Sequence, residues 1–139
     1  MTKRVNVQWL QKKQFVGIGG SKRSVVMSGQ DEENAIGVSP SEMLLLGLAG
    51  CSAYDVVGIL EKKKATLTGL EVKVTAENDT DPPFPYRQIH LEYIVRGRGL
   101  TEKNVGDAIH LSETKYCSVA ATIRPTAEIT TSFQIIAEE

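Results

Sequence analysis

Residues 39–64 read SPSEMLLLGLAGCSAYDVVGILEKKK. The stretch opens as a helix. Ser39 fits the N-cap, Pro40 the first helical position, and Glu42 stands three residues after Ser39 in a capping-box pattern. From Met43 to Leu60 the residues are apolar almost all round, with Gly47 and Gly50 allowing close approach by neighbours. Glu61, Lys62, Lys63 and Lys64 return the chain to solvent, and the cations suit a helix C-terminus. A helix apolar on every face must be enclosed. One small domain has too little material for that, so the stretch predicts a long central helix covered in part by a second subunit. Its most apolar part, residues 43–54, stops at Asp55 and falls short of the ~20 residues of a membrane span.

Upstream, Val5, Val7 and Trp9 alternate with polar residues as a half-buried strand does. Short runs at 15–18 and 23–28, separated by Gly19, Gly20 and Ser21, complete a three-stranded antiparallel meander, and residues 29–37 form a polar loop. Downstream, Leu70, Val72, Val74 and Ala76 alternate with polar residues, as do Ile89, Leu91, Tyr93 and Val95, giving an antiparallel strand pair. The loop between them carries Pro82, Pro83 and Pro85 and cannot itself be central strand. Thr101 can cap a second helix with an apolar stripe at Val105, Ile109, Ser112 and Tyr116. Residues 117–123 give a further helical turn or two that Pro125 ends, and Ile129, Thr131, Phe133 and Ile135 mark a last strand. The order β-β-β-α-β-β-α-α-β is that of an α+β domain.

The chain has 139 residues, most simply one domain over 1–139. Hydrophobic residues make up 41% and charged ones 24%, which excludes a disordered class. A net charge of −1, without a basic patch interleaved with aromatics, excludes a nucleic-acid footprint. The opening MTKRVNVQWLQKKQF lacks the apolar core of a secretory signal, so the reading is a cytoplasmic protein with no membrane partner.

Two cysteines can pack, bind metal or do redox chemistry. Without a CxxC spacing or clustered histidines they are poor ligands for a structural zinc, and neither His90 nor His110 belongs to a motif; no metal is expected. Asp107 and Glu113 read as solvated helix charges. Cys51 lies about three turns into its helix, where the dipole gives little help, and Asp55 at i+4 opposes ionisation. Cys117 precedes a short helical stretch and follows Lys115, a setting that lowers a thiol pKa. A pair of thiols suits disulfide-forming chemistry, since an oxidised peroxidatic cysteine needs a resolving partner. Local physics does not say which of the two attacks first.

SPSEMLLLGLAGC followed by SAYDVV, together with SETKYCSVAATI at 112–123, resembles the family of osmotically induced protein C and organic hydroperoxide resistance proteins (OsmC/Ohr). The likeness is to its OsmC-like branch, with an Asp-Val pair after the first cysteine. It implies antiparallel sheets wrapped around long central helices in an intertwined homodimer. It also implies an antioxidant, stress-response peroxidase that reduces organic hydroperoxides without a cofactor and is recycled by an external dithiol. Cys51 is then peroxidatic and Cys117 resolving, against the local preference for Cys117. Where the family's peroxidases carry a glutamate directly after the helix-opening proline, this chain has Ser41, and Glu42 follows. On a straight helix Glu42 and Cys51 face opposite ways, so Glu42 reads first as a cap and second as a catalytic residue. No residue matches the family's N-terminal arginine securely; Lys12 and Lys13 occupy that turn. These departures keep a rival open, a non-enzymatic dimer that binds a small apolar ligand with the cysteines lining its pocket.

Overall fold

The structure, a computed structural model, describes residues 1–138. The chain divides into two compact units, Met1–Leu46 and Gly47–Glu139, with the boundary inside one continuous helix. The first unit is the expected meander: β1 (Asn6–Gln11), β2 (Gln14–Ile18) and β3 (Ser24–Ser28) pair antiparallel in that order. Lys12 takes a positive φ of 47° at the β1–β2 turn, and Trp9 Nε1 closes that turn on the Lys12 carbonyl at 2.6 Å. The half-burial expected of Val5, Val7 and Trp9 is not found. All six β1 residues are exposed, Trp9 at 67%, because this unit has no second layer to cover its edge strand.

Helix α1 (Pro40–Lys62) begins where the capping pattern places it. The Glu42 N–H donates to Ser39 Oγ at 3.2 Å, and the Ser39 hydroxyl donates to the Glu42 carboxylate at 2.6 Å. In the second unit Leu48, Ser52, Val56 and Leu60 recur every four residues and are buried, which makes one inward stripe. Tyr54 is 83% exposed, and a side chain added at Gly47, Gly50 or Gly58 would meet nothing. The apolar run continues to Leu60 as the sequence predicts, but residues 43–54 alone understate its length against a membrane span. Val56, Val57, Ile59 and Leu60 extend it, and by length and composition the 23-residue helix could cross a membrane. The buried stripe is that of a helix with one face in a protein core and the other uncovered.

The second unit is built on β4 (Thr66–Asn78), β5 (Tyr86–Arg98) and β6 (Glu128–Ala137), with β5 central. Every strand position expected to face the core does so in register. Ile89, Leu91, Tyr93 and Val95, all essentially inaccessible, oppose Ala76, Val74, Val72 and Leu70 on one side. On the other side they oppose Ile129, Thr131, Phe133 and Ile135. Gly97 is required where β4 and β5 meet, since its φ is 153° and a Cβ there would collide with the Thr66 carbonyl. The expectation of purely antiparallel sheets is corrected at one pairing, because β6 runs parallel to β5. Parallel neighbours need a long crossover, and the chain provides one in α2 (Glu102–Leu111), a π-helical turn (Ser112–Tyr116) and α3 (Ser118–Ile123).

Thr101 caps α2, its Oγ1 accepting from the Asn104 N–H at 3.0 Å. The expected stripe holds through Val105, Ile109 and Ser112, all buried. It fails at Tyr116, which is 52% exposed. The wide turn, closed by Cys117 N–H on the Ser112 carbonyl at 2.8 Å, breaks the 3.6-residue period there.

Candidate functional site

Helix α1 carries Cys51 and Asp55 one turn apart, hence on one face. The end of the π-helical turn carries Cys117 as the N-cap of α3. The two Sγ atoms and an Asp55 carboxylate oxygen all lie within 4.8 Å of one another. Both thiols are free; Cys51 is half-buried and Cys117 is buried. The residues read from sequence as a possible disulfide pair therefore meet, and Asp55, read only as a nearby charge, joins them.

The environment of Cys117 overturns the local expectation for it. Its Sγ does accept the Ala120 N–H at 3.3 Å, as an N-cap should. Burial, and after it the Cys51 side chain hydrogen-bonded to it, outweigh that help and push the Cys117 thiol up to about 11. Lys115 gives no visible aid; its ammonium sits 5.4 Å above the ring of exposed Tyr116. Cys117 is thus held as a thiol rather than activated as a thiolate.

Beneath the sulfurs runs a buried polar chain that sequence reasoning missed. Ser112 Oγ donates to Asp55 Oδ2 at 2.9 Å and lies 3.2 Å from Ser52 Oγ, which is hydrogen-bonded to the Tyr93 hydroxyl. Burial pushes the Tyr93 phenol up to about 12, so it stays neutral within the chain. The available signal was a serine at a core position of each helix stripe, Ser52 in α1 and Ser112 after α2, because a buried hydroxyl requires a partner. Beside Asp55 an open cleft of about 350 Å³ is lined by Tyr54, Ile59, Leu111 and Tyr116, with Lys62 as its basic residue.

The other candidates are engaged elsewhere. Glu42 caps α1 through Ser39. Lys12 Nζ pairs with Glu33 at 3.3 Å. Arg87 pairs with Asp79 at 3.2 Å, and Arg124 donates to the Glu113 carbonyl at 2.7 Å. His90 lies between Thr130 and Ser132 of β6, 2.7 and 2.8 Å from their hydroxyls, and His110 is exposed. Neither histidine belongs to the thiol cluster. Among the described residues the one group of three metal-capable side chains is Cys51, Asp55 and Cys117.

The fold and the adjacent thiols define a class: α+β proteins in which a long apolar helix and a helix N-cap present two cysteines side by side. The family described as "OsmC-like protein" matches residues 29–132. The chain is 37% identical over 134 residues to Protein YhfA of Escherichia coli strain K12, covering 96% of this chain and 98% of that one. A hypothetical protein from Aquifex aeolicus VF5 has the same fold at 25% identity, with a TM-score of 0.89 and coverage of 100% and 99%. The organic hydroperoxide resistance protein OhrB of Bacillus subtilis shares the fold at 12% identity and a TM-score of 0.64, over 96% and 98% of the two chains. The chain belongs to the OsmC/Ohr family.

Proposed function

We propose that the protein is a thiol-dependent peroxidase that reduces organic hydroperoxides, with the whole chain acting as one OsmC-like domain in a cytoplasmic homodimer. The Cys51 sulfur attacks the distal peroxide oxygen, the O–O bond breaks, and the alkoxide takes a proton and leaves as the alcohol. Cys51 is now a sulfenic acid. The Cys117 sulfur displaces its hydroxyl as water, and the Cys51–Cys117 disulfide forms. An external dithiol restores both thiols by exchange. The reaction requires no metal, flavin or heme, and neither nucleic acid nor a membrane takes part.

The observation that carries this reading is the adjacency of the two sulfurs. The division of roles has its own support. Cys117 keeps its proton, is hydrogen-bonded to Cys51 and is buried, as suits a resolving thiol. Cys51 is the more accessible sulfur, as suits the first nucleophile. The apolar cleft beside Asp55 favours an organic hydroperoxide over hydrogen peroxide. The homodimer is supported by the uncovered apolar side of α1. Glu42, already a cap, is assigned no step.

That open cleft also favours the second reading, a dimeric binding protein for a small apolar ligand. Intact-mass measurement after cumene hydroperoxide separates the two. The peroxidase loses two hydrogen atoms per chain as Cys51 and Cys117 join, whereas a binding protein keeps both thiols.

A further inference from the structure

The same side chains, in their reduced state, form a ligand set for a cation. We propose that the reduced protein binds one zinc ion per chain through Cys51 Sγ, Cys117 Sγ and the Asp55 carboxylate, leaving the fourth position open. Two sulfurs and one carboxylate are zinc-type donors, and three protein ligands with a free position mark an exchangeable site rather than a closed structural one. Tetrahedral coordination at Zn–S ~2.3 Å and Zn–O ~2.1 Å requires ligand atoms about 3.5–3.8 Å apart. The three atoms already lie within 4.8 Å of one another, so small side-chain rotations close the site.

The surroundings are those of a supported ligand set. Ser112 Oγ orients the Asp55 carboxylate at 2.9 Å and is itself beside Ser52, which Tyr93 holds. The Ala120 N–H orients the Cys117 sulfur at 3.3 Å. Such second contacts are what fix first ligands in metal sites. Asp55 also lines the open cleft, which gives an ion a way in. A divalent ion supplies the positive charge that the two sulfurs and the carboxylate need when they ligate together.

Zinc here is not a cofactor for peroxide reduction but a competing occupant of the thiols. Where the peroxidase reading also holds, the two meet in one balanced step. The zinc-bound dithiolate, one organic hydroperoxide and two protons give the Cys51–Cys117 disulfide, one alcohol, one water and free Zn²⁺. The sulfurs are oxidised, the peroxide is reduced, and both Zn–S bonds break. The site would then release zinc in proportion to peroxide.

The test uses the full chain, reduced with a phosphine and freed of metal. Titration with Co²⁺ should raise a thiolate-to-cobalt charge-transfer band and tetrahedral visible bands that saturate at one ion per chain, and Zn²⁺ should abolish both. Asp55→Asn should weaken Zn²⁺ at least tenfold against a chromophoric chelator, and Ser112→Ala about tenfold. The Cys51→Ser/Cys117→Ser double variant should lose the charge-transfer band. A wild-type titration without that band overturns the proposal and needs no variant to interpret. So does binding that the double variant or Asp55→Asn leaves unchanged. Disulfide formation by peroxide in a protein that binds no zinc leaves the peroxidase reading standing alone. Stoichiometric zinc on thiols inert to hydroperoxide leaves the metal site standing alone.

Discussion

The middle of α1 and the junction of the π-helical turn with α3 each bring one sulfur to the same place, by opposite means. In α1 the backbone is regular over 23 residues, and Cys51 is half-buried between the inward Leu48–Ser52–Val56 stripe and uncovered Gly47, Gly50 and Tyr54. At the junction the helix widens, stops and restarts within a few residues. Cys117 there is buried, and both its N–H and its sulfur are hydrogen-bonded. The difference separates helix-end geometry from activation. Cys117 holds the position that ordinarily lowers a thiol pKa, yet burial and the neighbouring sulfur raise it. Cys51 is left as the more accessible of the two sulfurs.

The strongest way to break this contrast is to remove each sulfur in turn. Cys51→Ser should abolish hydroperoxide consumption, because a serine hydroxyl offers no accessible anion. Cys117→Ser should consume about one peroxide per chain and then stop at an oxidised Cys51. The first is read by peroxide loss under dithiol recycling and the second without added dithiol, which would itself reduce the Cys51 sulfenic acid. A Cys117→Ser enzyme dead from the first turnover, beside a Cys51→Ser enzyme that retains it, reverses the roles.

A smaller effect follows from exposure. Iodoacetamide at neutral pH should modify Cys51 at least about tenfold faster than Cys117, since Cys51 is the more accessible sulfur and burial holds Cys117 protonated. Peptide mapping over time gives the two rates. Equal rates would mean that the burial of Cys117 is not maintained in solution.

The raised Cys117 pKa also sets a stability window. The folded protein keeps a proton that the unfolded chain begins to lose near 9, so the associated stability is fully present below 9 and is lost as pH rises through about 11. At ~1.4 kcal/mol per unit the loss is on the order of 2–3 kcal/mol at most. Thermal denaturation in a phosphine-containing buffer should show a falling Tm over this range, and Cys117→Ser should flatten it. Tyr93, raised from 10.0 to about 12, adds a loss at higher pH that Tyr93→Phe removes.

What could be read from the sequence follows the range of the forces involved. The Ser39–Pro40–Glu42 start, the Thr101 cap and the alternating core positions of β4, β5 and β6 are local patterns, and each stands where the pattern puts it. The parallel β5–β6 pairing is not legible in the sequence, because two intervening helices are long enough for a crossover but permit either strand direction. The exposure of β1 and the turn of Tyr116 to solvent depend on what lies across from them, which alternation does not encode. At the site, the two cysteines are legible as a pair along the chain, but their environment is not. The sign of the Cys117 shift is set by burial, and the Ser112–Asp55 contact joins positions 57 apart.

The smallest expected effect concerns the turn at Lys12 and Lys13, read from sequence as roughly that of the family's arginine without a secure match. Lys12 Nζ is committed to Glu33 at 3.3 Å with both side chains at least half exposed, a pairing that contributes about 0–1 kcal/mol. The turn itself is fixed by backbone groups. The Lys12 carbonyl accepts from Trp9, and the Lys13 N–H donates to Asn34 Oδ1 at 3.0 Å, so neither bond depends on the lysine side chains. Lys12→Gln/Lys13→Gln should therefore change stability by no more than about 0.5 kcal/mol, measured by urea denaturation. With Lys12 already paired, Cys51 alkylation from pH 5 to 9 should also keep its profile. A selective slowing of Cys51 in this variant, at unchanged stability, would add the turn to the thiol site. The contrast between the two cysteines would then rest on a third region of the chain as well as on their own surroundings.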